Sequence, residues 1–298
     1  MGTQIEVRMD TRSRRKAVAA AVIGNFIEWY DFSVYAFLAT VIAPLFFPSN
    51  DPAASLLAAF AAFGVAFLVR PLGGIIFGHY GDRIGRRDTL ALVVLIMAGA
   101  TTLIGVLPSY GQIGIAAPVL LVIARALQGL SAGGEYANAT SYLIEYAPER
   151  RRGLYGSWTY VTIGLALMAG ATLGAVMTSS LSEEAISSWG WRVPFLISAP
   201  LGLIGFYLRM KLDDSPRFRA LQEAGDVAAA PLLTMLRTQL PNLFMTVGIV
   251  VTGTVGVYIS LLYMPAYYTQ CRLVKPVRAQ VFAAAAVGRR DGPYVLAF

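Results

Sequence analysis

Seven times along this chain a mostly apolar run reaches the length needed to cross a bilayer, and that recurrence restricts the fold more than any other feature. The runs extend approximately from Ala17 to Phe47, Leu56 to Gly78, Thr89 to Leu107, Ile113 to Leu143, Gly153 to Thr178, Trp191 to Met210 and Asn242 to Tyr268. A membrane helix needs about 20 such residues to cross roughly 30 Å of hydrocarbon. Lipid offers no partners to backbone N–H and C=O groups, so a spanning segment must satisfy its own. Charged residues make up only 14% of the 298, against 56% hydrophobic, too few to coat a soluble surface. The expected fold is an all-α membrane protein of six or seven transmembrane helices.

The N-terminus superficially looks like a cleavable signal, with Arg8, Arg12, Arg14, Arg15 and Lys16 ahead of an apolar run. That run contains Glu28 and Asp31 and continues to about Phe47, too long and too charged for a signal-peptide core. It reads instead as a signal-anchor, the first span.

The net charge of +7 sits between the apolar runs, which points to a membrane surface rather than to nucleic acid. Arg and Lys crowd the N-terminal tail, the loop after span two (Arg83, Arg86, Arg87), the loop after span four (Arg150, Arg151, Arg152) and the segment after span six (Arg209, Lys211, Arg217, Arg219, Arg237). The alternate loops, near Asp51, Tyr110 and Glu183–Glu184, have none. The positive-inside rule then places the N-terminus of a multi-pass membrane protein in the cytoplasm. One cysteine, Cys271, and one histidine, His79, leave no internal disulfide and no multi-histidine metal site, and no cofactor is expected.

These features divide the chain into a cytoplasmic tail (1–16), a six-helix bundle (17–210), a cytoplasmic linker (211–241) interrupted by Pro216, Gly225 and Pro231, a seventh helix (242–270), and a terminal stretch (271–298). The last stretch has no span-length apolar run and carries Arg272, Lys275, Arg278, Arg289 and Arg290 on the side that the upstream pattern makes external. It reads as aberrant sequence, as from a shifted frame, and a chain ending so is expected not to transport.

Glu28, Asp31, Arg70, Arg125 and Glu135 fall inside spans. Each costs roughly 2.5–3.5 kcal/mol at a helix centre, so five left unpaired would cost on the order of 15 kcal/mol. They must pair, line water or lie near the ends. A transport pathway and a set of structural ion pairs both satisfy that demand. Gly24, Glu28, Asp31 and Tyr35 fall at i, i+4, i+7 and i+11, one polar stripe beside Asn25 that suits a cavity wall. Depths counted at 1.5 Å per residue bring Asp31 level with Arg125, and Arg70 level with Glu135. Three acids would then face two bases, leaving Glu28 or Asp31 as a carboxylate free to carry a proton.

Several motifs resemble the major facilitator superfamily. Gly78-His-Tyr-Gly-Asp82-Arg83-Ile-Gly85-Arg86-Arg87 matches its signature loop, Arg125-Ala-Leu-Gln128-Gly129 its fourth-helix motif, and Glu145 followed by Arg152 its E-x6-R element. The segment Asp214-Ser-Pro-Arg-Phe218 is similar to its P-E-S-P-R segment, with Asp213 and Asp214 in place of Pro and Glu. Within the superfamily, "GNFIEWYDFSVY", "RPLGGIIFGHYGDRIGRR" and "RALQGLSAGGEY" resemble the metabolite:proton symporters of citrate, 2-oxoglutarate, shikimate, dicarboxylates and proline/betaine, over about Arg15 to Gln270. The resemblance implies the N-terminal six-helix bundle of the major facilitator fold plus helix seven, with the second bundle absent. It also implies alternating access, a small metabolite and protons as partners, and a usually monomeric state. On that reading Asn25, Glu28, Asp31, Tyr35, Arg70, Arg125 and Glu135 serve coupling and cavity. Gly78, Asp82, Arg83, Gly85, Arg86, Arg87, Glu145 and Arg152 serve the gate. An uncoupled uniporter and a non-transporting fragment are the alternatives.

A lone G-x-S-x-G at Gly129–Gly133 does not make a hydrolase, because His79 lies at the rim and Ser131 about 15 Å deep. Its small residues suit close helix packing, as do Gly170 and Gly174. Tyr258, Tyr263, Tyr267 and Tyr268 fit an aromatic belt better than a substrate wall, and Trp189 and Trp191 are expected as interface anchors.

Overall fold

The computed structural model describes residues 11–84, 86–148, 151–211, 239–264 and 267. The expected linker lies mostly, and the expected aberrant tail wholly, outside them. All secondary structure among the described residues is helical: α1 Thr11–Phe37, α2 Ala39–Phe46, α3 Pro52–Ile84, α4 Arg86–Val106, α5 Tyr110–Ile113, α6 Ala116–Tyr146, α7 Arg152–Ser180, α8 Glu183–Ala185, α9 Arg192–Met210 and α10 Leu240–Val257. Among the described residues six helices are long and apolar enough to cross a membrane, or seven if α1 and α2 are one broken span. The first span was expected as one helix to Phe47. It is bent by 67° at Leu38, where the backbone (φ −93°, ψ 4°) leaves helical geometry.

Glycines set how the bundle closes. With no hydrophobic drive between helices in lipid, association rests on close backbone approach, which small residues permit. A Cβ added at Gly129 would overlap the Ala66 carbonyl, one at Gly133 the Arg70 carbonyl, and one at Gly73 the Leu130 carbonyl. These positions press α3 directly onto α6. Gly202 meets the Ala98 Cβ where α9 crosses α4, and Gly170 meets Ser33 where α7 crosses α1. Polar ties reinforce the last contact: Asn25 Nδ2 donates to the Thr159 carbonyl at 3.0 Å and Ser33 Oγ to the Ala166 carbonyl at 3.3 Å.

The buried core centres on α1, whose residues from Ile27 to Ala36 are all inaccessible. Trp191, expected at a membrane interface, is only 1% exposed. Phe46 and Phe195 pack edge-on against its ring at 5.5 and 6.2 Å, so it plugs the end of the bundle. Trp189 is exposed, as an anchor would be. α10 is exposed along its described length until the π-helical turn Tyr258–Tyr263 rests on α1.

Candidate functional site

The stripe on α1 is buried as a unit: Glu28 and Asp31 are each 1% exposed and Tyr35 is sealed. Their partners differ from those that depth counting gives. Arg70 donates through Nη2 to Glu28 Oε1 at 2.7 Å, not to Glu135. The reason is the glycine contact. Arg70 presents its carbonyl to Gly133, two residues from Glu135, so its side chain turns away from α6 toward α1, with the guanidinium 4.7 Å from the Phe32 ring.

Glu135 instead accepts a two-pronged bond from Arg209, with Arg209 Nη1 at 2.7 Å from Oε2 and Nη2 on Oε1. Arg209 also donates to the Leu90 carbonyl at 2.5 Å and is 1% exposed. By position alone, one residue from the end of its span, it reads as a loop cation. A helical face of Ser198, Gly202, Gly205 and Arg209, at i, i+4, i+7 and i+11, marks it in the sequence as inward-facing. With Arg209 inside, three bases balance three acids.

Asp31 and Arg125 are not in contact. Asp31 accepts from Ser198 Oγ and Thr101 Oγ1, each at 2.5 Å. Thr101 in turn receives Gln128 Nε2 at 2.6 Å, and Gln128 Oε1 receives Arg125 Nη1 at 2.6 Å. Two neutral side chains thus stand between charges expected to touch, because α4 inserts Thr101 between α1 and α6. In the sequence Gln128 stands out only as part of a motif, and Thr101 and Ser198 do not stand out at all, since a lone hydroxyl within an apolar run carries little signal.

Arg125 is fully buried yet unsatisfied. Its guanidinium lies over Tyr35 at 3.9 Å, Phe63 at 4.8 Å and Phe32 at 5.4 Å, while Nε and Nη2 have no hydrogen-bond partner. Buried polar groups are normally paired, so orphans ask for an explanation. More gather around the same rings: Glu28 Oε2, Arg70 Nε, Trp29 Nε1 and the Tyr258 hydroxyl. Tyr258 stacks on Trp29 at 5.8 Å and meets Phe67 edge-on at 4.8 Å, so it faces the bundle rather than a lipid belt. Tyr35 keeps its hydroxyl on the Ala59 carbonyl at 3.0 Å. Asn25 is committed to α7, one turn from this cluster. A narrow cavity lined by Gly24, Glu28, Met97, Ser131 and Glu135 lies between the two ion pairs.

Of the expected gate, Gly78 is half-buried on α3, and Arg87 donates to the Met210 carbonyl at 2.7 Å, tying the signature segment to the end of α9. Gly85 and the side chains of Asp82, Arg83, Arg86 and Glu145 lie outside the described residues. Arg152 is exposed at the first turn of α7.

The family described as "Sugar (and other) transporter" matches residues 16–243. The glycine betaine/proline/ectoine/pipecolic acid transporter OusA of Dickeya dadantii is 42% identical over 272 residues, covering 87% of this chain and 54% of that protein. The proline/betaine transporter of Escherichia coli is 42% identical over 275 residues, with the same two coverages. The chain therefore spans about half the length of the curated relatives it matches. Among solved structures, a D-xylose–proton symporter superposes with a TM-score of 0.69 at 19% identity, over 91% of this chain and 66% of the other. The partially occluded, inward-open xylose transporter XylE of Escherichia coli gives 0.64 at 20% identity, over 72% and 52%. At those identities the likeness is one of fold.

Proposed function

The chain belongs to the sugar (and other) transporter family of the major facilitator superfamily, a group of multi-pass secondary transporters, and on that premise we propose that it serves proton-coupled symport of a small zwitterionic metabolite. The observation that carries the substrate class is Arg125. A sealed guanidinium with two unused N–H groups, walled by aromatic faces, is a seat for a carboxylate. A planar fork of donors suits that group. The adjacent faces of Trp29, Tyr258 and Phe67 suit a substituted ammonium, which aromatic rings attract through their quadrupoles. Carboxylate and ammonium a few ångströms apart describe a betaine or an imino acid, in keeping with the names of the relatives. Asp31, which no cation touches among the described residues, and Glu28 are the acids available for the proton. The N-terminal tail and the linker are cytoplasmic in this reading, and the described bundle forms one wall of the pathway, gated by Gly78–Arg87 with Glu145 and Arg152.

Equilibrium binding of labelled glycine betaine to the purified chain in lipid nanodiscs tests this. Proline should compete, xylose should not, and Arg125→Met should lose binding at least tenfold. Equal competition by xylose, or unchanged binding in Arg125→Met, refutes the assignment.

A further inference from the structure

We infer that Gln128 and Thr101 form a hydrogen-bond relay through which occupancy at Arg125 sets the protonation of Asp31, with the Thr101 hydroxyl as its two-position element. The inference rests on the functional reading above and adds two positioning residues to it.

The argument begins at Arg125, which can only donate. Its bond to Gln128 at 2.6 Å therefore fixes that amide with Oε1 toward the guanidinium, and Nε2 must point at Thr101. Thr101 Oγ1 consequently accepts from Gln128 and has one hydrogen left to give. Two acceptors stand within reach of that hydrogen: Asp31 Oδ2 at 2.5 Å and the Met97 carbonyl at 3.0 Å. With Asp31 ionised, the hydroxyl donates to Asp31. With Asp31 protonated, the new Oδ2–H donates to Thr101, and the Thr101 hydrogen turns to Met97. A hydroxyl has one donor and two acceptor positions, so every position is filled in the second state. The proton enters and leaves only at Asp31 Oδ2, exchanged with solvent. No proton passes along the relay, and no bond other than that O–H forms or breaks.

Charged or titratable neighbours of Asp31 are few. Arg125 lies on α6, and Glu28 and Tyr30 share its helix. α4 and α9 present hydroxyls, Thr101 and Ser198. A carboxylate seated on Nε and Nη2 of Arg125 neutralises that guanidinium and weakens its pull on Gln128. Bonds in such a chain polarise one another, so Gln128 then donates less strongly to Thr101, and Thr101 to Asp31. The ionised form of Asp31 loses support, and proton and ligand bind together. By linkage, the ligand strengthens proton binding as much as the proton strengthens ligand binding.

Carbodiimide attacks protonated carboxyl groups. Its attachment to Asp31, located by peptide mass spectrometry across a pH series in nanodiscs, therefore reports the proton without requiring transport. The probe is glycine betaine at saturation. In the unmodified chain, labelling should persist to higher pH with betaine, by about one pH unit for a tenfold coupling. Thr101→Val keeps the shape and removes the hydroxyl, and Gln128→Met breaks the next joint. Each should cut the betaine-induced shift to less than half, while Thr101→Ser restores it. Should Thr101→Val not fold, Gln128→Met against Thr101→Ser reads the same link. A betaine-induced shift exceeding half the original in the folded relay-breaking variants overturns the relay and leaves the functional reading standing. An unmodified chain that binds betaine without any shift overturns the proton-coupled reading and the relay together. Failure to bind betaine at all refutes the assignment of the site itself.

Discussion

Removing Arg209 should destabilise the bundle more than any other single truncation of a polar side chain in it. Its guanidinium holds both oxygens of Glu135 and the Leu90 carbonyl, and both side chains of the pair are no more than 3% exposed. Arg209→Met leaves Glu135 ionised without a cation, because the nearby Arg70 is engaged by Glu28. Stranding one member of a buried pair costs about 3–5 kcal/mol. Neutral interhelical hydrogen bonds in membranes average about 0.6 kcal/mol, so a loss of several kcal/mol identifies the charge rather than the bond count as the cause. Glu135→Leu combined with Arg209→Met removes both charges while keeping volume, and should cost less than Arg209→Met alone. Unfolding of the purified chain in mixed micelles by titrated sodium dodecyl sulfate, followed through tryptophan fluorescence, gives the double-mutant cycle. The coupling term should be at least about 2 kcal/mol. An Arg209→Met loss under about 1 kcal/mol, or a double variant equal to the sum of the singles, would show that the charges are solvated and the reasoning wrong.

Three further outcomes are expected. Glu28→Gln and Asp31→Asn should each abolish accumulation of glycine betaine driven by a pH gradient, in a protein carrying this bundle and a second one, while leaving membrane insertion intact; normal accumulation in both would remove carboxylate coupling from the account. Gly129→Val should abolish recovery of folded protein, since its Cβ would enter the Ala66 carbonyl, whereas Gly174→Ala, whose nearest neighbour is the Phe37 Cβ at 4.0 Å, should leave the yield unchanged. In a Cys271→Ser background, a cysteine at Ser182 should react with an impermeant maleimide from outside intact cells and one at Lys211 only after permeabilisation; the reverse pattern would invert the topology.

What was legible in the sequence, and what was not, follows from the range of the forces involved. Span number and the close packing of α6 are local consequences of apolar length and of small residues at helical spacing, so both could be read directly. The stripe Gly24–Glu28–Asp31–Tyr35 was equally local, and it is buried as one face. The pairing of charges was not local. It depends on which helix approaches which, and at what rotation. Counting depth assigned Arg70 to Glu135, yet glycine contact puts the Arg70 backbone, not its side chain, against α6, and the charge turns to Glu28. The same limitation hid Arg209. Sitting one residue before the end of its span, it fits the loop pattern as well as the core, and only the small-residue face from Ser198 to Gly205 distinguishes the two. Loop cations counted by position alone therefore overstate the topological signal and understate the buried charge. In this bundle the correction changes the chemistry. Once Arg209 neutralises Glu135 and Arg70 holds Glu28, Asp31 and Arg125 are left, among these six in-span charges and the described residues, without an ion-pair partner. They are separated by Thr101 and Gln128, whose hydrogen bonds keep the two charges from collapsing onto each other.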